Sequence, residues 1–182
     1  ALTYVNLRLE RKGLTFFDAE DPVERDQAVA KTVDMSLDLL KDQRARYEEL
    51  AIFPKAIDLP LPAVGHLWRA TGGLDDLDTE DLCDRLFRLS LLQVYNVKTQ
   101  TIRLHDVLAD YLVGTQRARL PALNGQFLDS YGLARWQDLP ADEPYLWRHL
   151  AYHLVKAGRE PILRALLLDF DWLRAKLEAT DV

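Results

Sequence analysis

The 182 residues predict a mainly α fold: a winged-helix domain, made of helices plus a β-hairpin wing, followed by a small α-superhelical domain. Three observations predict it. Apolar residues recur at spacings of three and four through most of the chain, the period of one helix face. A single pair of β-rich runs, within 91–104, stands between helical segments. Beyond Gly114 the helical period continues with no strand signal.

Residues 1–14 carry a loose apolar pattern (Leu2, Val5, Leu7, Leu9), and 18–26 read as a charged loop or a helix start, with Pro22 tolerable in a first turn. From Gln27 to Gln43, Val29, Val33, Leu37 and Leu40 mark one face of a long amphipathic helix. Arg44 to Phe53 continues it, with Tyr47, Leu50 and Phe53 together until Pro54. Residues 54–62 read as an extended connector, because each residue before a proline is pushed out of the α region. Pro62 opens a short helix carrying Val64, Leu67 and Trp68, which Gly72-Gly73 ends. Asp78 with Asp81 predicts a capped start for the next helix, with Leu82, Leu86 and Leu89 inward. The two β-rich runs flank Asn96 to Gln100 and form the wing. A helix follows from about His105 to Val113, and the winged-helix domain is set at 27–114.

The helical domain, 115–182, holds segments from Leu120 to Tyr131, Tyr145 to Ala157, Pro161 to Leu168 and Asp171 to Ala179. Gly132 breaks the first and Gly158 caps the second; 136–144 is a loop with proline near its end. Helix pairs joined by short turns give an α-superhelical module.

At 48% hydrophobic and 29% charged, the composition excludes a disordered chain. No run approaches the ~18 apolar residues a membrane helix needs, and no secretory peptide is visible at the start. Cys83 is the one cysteine, which excludes an intramolecular disulfide and a multi-cysteine zinc site. A reducing, cytoplasmic location is expected. Residues 1–114 hold 14 Lys/Arg against 20 Asp/Glu, and 115–182 hold 9 against 9. Counterion displacement from nucleic acid needs clustered positive charge, so that partner is disfavoured.

His149 and His153, four apart, could share a metal, but "HLAYH" has no glutamate beside His149 and no third ligand; helix packing accounts for both. His66 has no nameable partner, and Cys83 reads as a buried structural thiol. His105 falls where the wing gives way to a helix, directly before Asp106, whose carboxylate can accept from first-turn N–H groups. An imidazole there either caps and packs or donates to an anion presented by another domain. No glycine is followed by lysine, so no P-loop is present, and no catalytic residue or resident metal is assigned. The chain is not a complete enzyme.

Three blocks resemble the NB-ARC group of STAND signalling ATPases. Residues 28–68, with "LAIFP" and a leucine-tryptophan helix end, are similar to the start of that family's winged-helix domain. Residues 89–112 resemble its wing and following helix, including the triplet Leu104, His105 and Asp106. Residues 145–177, with "LAYH" and "DWLRAKL", resemble the helical domain beyond. Plant members carry methionine where this chain has Leu104; leucine is the animal-type choice.

The resemblance implies a larger parent protein. Residues 1–26 would be a linker or the tail of a preceding small helical domain. An upstream P-loop domain would bind ADP or ATP, and His105 would contact the ADP phosphate and hold a closed, inactive form. The helical arm would lead to a downstream sensor, often a WD β-propeller, and the parent could form a homo-oligomer and signal in an apoptosis-like way. The fragment alone is expected to hold no cofactor and to meet no membrane. Two other readings stay open: a plain scaffold, and a DNA-binding winged helix of a transcription regulator. In the second, the recognition helix, 79–90, sets Glu80, Asp81 and Asp84 against Arg85 and Arg88, a poor charge for reading a groove.

Overall fold

The computed structural model describes residues 35–180, and the chain divides into two compact units, 1–41 and 42–182. The expected tail 1–26 and the helix face through Val29 and Val33 lie outside the described residues. In the first unit residues 35–38 are helical and 39–40 turn. Lys41 then takes a left-handed backbone (φ 49), so the single long helix to Gln43 does not form.

In the second unit α1 (Arg44–Glu49) tightens into a 3-10 turn, Leu50–Ile52, and Phe53 is already extended. The expected helix to Phe53 is therefore shorter, because Pro54 forces the residue before it into the β region. Tyr47, Leu50, Ala51, Ile52 and Phe53 are buried.

The connector is more than extended chain: it contains a strand, β1 (Leu59–Pro60), ahead of α2 (Leu61–Gly72). Gly73 ends α2 in a left-handed cap (φ 68), a conformation without steric cost for glycine. Helix α3 (Asp76–Arg88) begins earlier than the Asp78–Asp81 pair predicts. Its N-cap is Asp75, which accepts from the Asp78 amide at 2.8 Å, and Asp78 returns a reciprocal bond at 3.3 Å.

The wing is β2 (Val94–Asn96) and β3 (Thr101–Arg103), antiparallel, with Tyr95 opposite Ile102. Asn96 Oδ1 accepts from the Lys98 and Thr99 amides and closes the turn. The sheet has three strands in the order β1-β3-β2, with Leu59 opposite Ile102. Pro60 has no N–H to offer, and β1 is an edge strand, where that loss is tolerated. Helix α4 (Asp106–Gln116) follows the wing.

The remaining helices are α5 (Leu120–Asp129), α6 (Pro144–Lys156), α7 (Glu160–Leu166) and α8 (Phe170–Thr180), with a 3-10 turn at Trp136–Asp138. Neighbours in sequence pack together, α5 on α6 and α6 on α7, and α6 also packs on α8. Trp147 and Trp172 stack at 5.0 Å between α6 and α8. Arg159 grips Asp129 through both guanidinium nitrogens (2.6 and 2.7 Å), closing the foot of α7 onto the end of α5.

Helix α2 also packs on α5, and Phe53 meets Phe127 and Tyr145 edge-on at 5.5 and 5.6 Å. Residues on both sides of Gly114 thus share one apolar interior. None of the described helices is long and apolar enough to cross a membrane.

Candidate functional site

His105 is the N-cap of α4, with an extended backbone (φ −68, ψ 138) and no capping bond from its side chain. The cap is therefore His105 rather than Asp106. Asp106 lies in the first helical turn, exposed, where a negative charge favours the exposed N–H dipoles. The His105 carbonyl accepts from the Ala109 amide at 2.9 Å, which anchors its backbone to the helix. Leu104, the residue before His105, is buried to 8% exposure and anchors the chain on that side.

The ring itself is partly exposed. It forms no hydrogen bond, ion pair or ring contact with any described residue.

The other histidines differ in this respect. His153 is fully buried, its Nδ1 2.7 Å from Asn124 Oδ1 and its Nε2 2.8 Å from the Tyr145 hydroxyl. Asn124 Nδ2 donates to the Leu120 carbonyl at 2.7 Å, so its oxygen faces the imidazole. His153 Nδ1 therefore carries the proton and donates, and Nε2 accepts from Tyr145. Burial depresses its pKa to about 3. Both ring nitrogens are used, so the pair with His149 is a packing arrangement and not half of a metal site. His149 lies against Tyr145 at 4.7 Å. His66 has partners that no sequence spacing shows: it stacks on Tyr131 at 4.1 Å, with Glu143 3.5 Å from its Nε2.

Cys83 is buried, and desolvation pushes its thiol up to about 12, which keeps it protonated and inert. Among the described residues no cluster of three or more His, Cys, Asp or Glu side chains could hold a metal. Two open surface grooves, one along Arg135, Asp171 and Arg174 and one along Gly125 and Arg159, do not include His105.

Four further side chains belong to the junction, and sequence reasoning missed them. Arg103, at the end of β3, donates to Asp58 Oδ1 from Nε (2.9 Å) and approaches it from Nη2 (2.7 Å). Lys55 pairs with Asp110 on α4. The "FPKAID" segment carries two of these residues, but opposite charges so far apart in the chain leave no periodic trace.

On α3 the acidic residues Asp76, Asp78, Glu80, Asp81 and Asp84 outweigh Arg85 and Arg88. Arg88 is paired with Asp84 at 2.7 Å, and Arg85 donates to Gln43. A helix so charged repels a phosphate backbone.

Comparison with known proteins agrees with the architecture. Residues 120–181 match the family described as the APAF-1 helical domain. Apoptotic protease-activating factor 1 of Mus musculus is 30% identical over 158 residues, and that of Rattus norvegicus 29% over 158, each match covering 84% of this chain. The Homo sapiens protein is 28% identical over 160 residues, again 84% of this chain. The chain spans about 12% of the length of these relatives.

Proposed function

Starting from this resemblance to apoptotic protease-activating factor along most of the chain, we propose that it is the regulatory segment of a STAND-type nucleotide switch in an apoptosis-like signalling protein. In this reading the winged-helix part closes over ADP held by an upstream P-loop domain, and His105 meets the nucleotide's phosphate. The helical arm links to a downstream sensor, a WD β-propeller in the family's usual plan. Closure keeps the parent protein from oligomerising.

The observation that carries the reading is the partly exposed imidazole at the start of α4, which has no partner among the described residues. That ring fits a phosphate: it can donate outward without breaking any bond to the described residues. ADP, when bound next door, supplies diphosphate oxygens as acceptors. This chain does the rest. Helix α4 and the buried Leu104 hold the backbone of His105 and leave the residue partly exposed. The arm is supported by exposed Leu167, Leu168 and Phe170 between α7 and α8, an apolar edge for the next structural unit.

A charge-assisted bond to phosphate contributes about 1.5–3 kcal/mol. That biases a two-state equilibrium by about tenfold to a hundredfold, enough for a switch shared with a sensor. His105→Leu in the full-length protein should therefore speed ADP release by about tenfold to a hundredfold. Unchanged release rates overturn the phosphate contact. A fluorescent ADP analogue chased with unlabelled nucleotide measures it.

A further inference from the structure

The ring of His105 is held by no other described side chain, so its aim is set by its backbone and by whatever fixes that backbone. The short connector between Phe53 and Leu59 reaches the junction on both sides of His105 in the sequence. Ala56 turns the connector through the left-handed region (φ 58), a conformation uncommon for a residue with a Cβ. Just before that turn Lys55 pairs with Asp110, one helical turn into α4. Just after it Asp58 takes the Arg103 guanidinium, two residues ahead of His105. The same connector then enters the sheet as β1, opposite Ile102 and Thr101, and the Leu61 amide donates to the Gln100 carbonyl at 2.8 Å.

We propose that Lys55 and Asp58 are positioning residues: they clip the end of β3 and the first turns of α4 to one connector, and so aim His105 at its anionic partner. The proposal rests on the reading that His105 meets a phosphate. Exposed ion pairs contribute little singly. Here two of them act from one connector on the same few residues, and both their carboxylates stay within the chain. They also engage Lys55 and Arg103, while the imidazole has no partner among the described residues.

The test uses Asp58→Asn, Lys55→Met and the charge exchange Asp58→Arg with Arg103→Asp. In the 182-residue chain without nucleotide, amide hydrogen exchange at residues 104–107 should rise about two- to fivefold in the first two variants and return in the exchanged pair. In the full-length protein, release of a fluorescent ADP analogue should quicken by a similar factor. It should not quicken further when Asp58→Asn is added to His105→Leu, because the clip acts through that ring. Unaltered exchange at 104–107, or an equal acceleration in the His105→Leu background, overturns the proposal. If His105→Leu alone leaves release unchanged, the phosphate reading has failed, and the exchange measurement still decides whether the clip holds the junction.

Discussion

His153 and His105 carry the same ring into opposite surroundings. His153 is locked neutral between Asn124 and Tyr145, with Phe53 and Phe127 around it. Its folded pKa of about 3 lies below the ordinary 6.5, so between those values the unfolded chain binds a proton that the folded chain refuses. The stabilisation is complete above the ordinary value and is lost as pH falls toward 3. Unfolding by urea at several pH values should show a loss of about 1 kcal/mol per pH unit from this group. His153→Gln should flatten that slope; an identical pH dependence in the variant would contradict the assignment. At this scale the sequence located His105 at the start of a helix, because the Leu104-His105-Asp106 triplet falls at a visible change of period. It was silent about the partners of His153 and His66, since Asn124 and Tyr131 lie far away in the chain and no spacing rule connects them.

At the scale of elements, the helix ends were legible wherever glycine or proline punctuates them. Pro62, Gly73, Gly132 and Gly158 place their boundaries within a residue or two. The start of α3 was harder to place, because Asp75, Asp76 and Asp78 offer several caps within one turn. Strand β1 left no signal: it has two residues, one of them Pro60, and only its pairing to β3 makes it a strand. Glycine also marks a close approach that sequence does not reveal. A Cβ on Gly72 would collide with the Arg46 side chain, and Arg46 is committed to the buried Glu49 at 2.7 Å. Burial pushes the Glu49 pKa up, while Thr71 and Arg46 hold it down. Gly72→Ala should displace the Arg46 guanidinium, leave Glu49 to its bond from Thr71 and cost about 1.5–3 kcal/mol. Gly114, exposed on α4, makes the contrast, since a Cβ added there would meet nothing within 4 Å. Gly114→Ala should stabilise by about 0.5–1 kcal/mol. Urea midpoints of the two variants check both signs.

For the whole molecule, the sequence supplied the order of helices, wing and arm but not how the parts meet. Phe53 comes from the winged-helix part, Phe127 and Tyr145 from the arm, and their edge-on contacts follow no repeat. His66 on Tyr131 adds a second contact between the same parts. These contacts join the helices before the wing to the arm in one apolar interior. The most direct measurement adds the P-loop domain proposed to lie upstream, loaded with ADP, to this chain carrying isotope-labelled histidine, and follows all four rings by NMR. The account predicts that the His105 resonance moves first and furthest on titration, while His153 stays fixed. Binding that leaves His105 unmoved would contradict it.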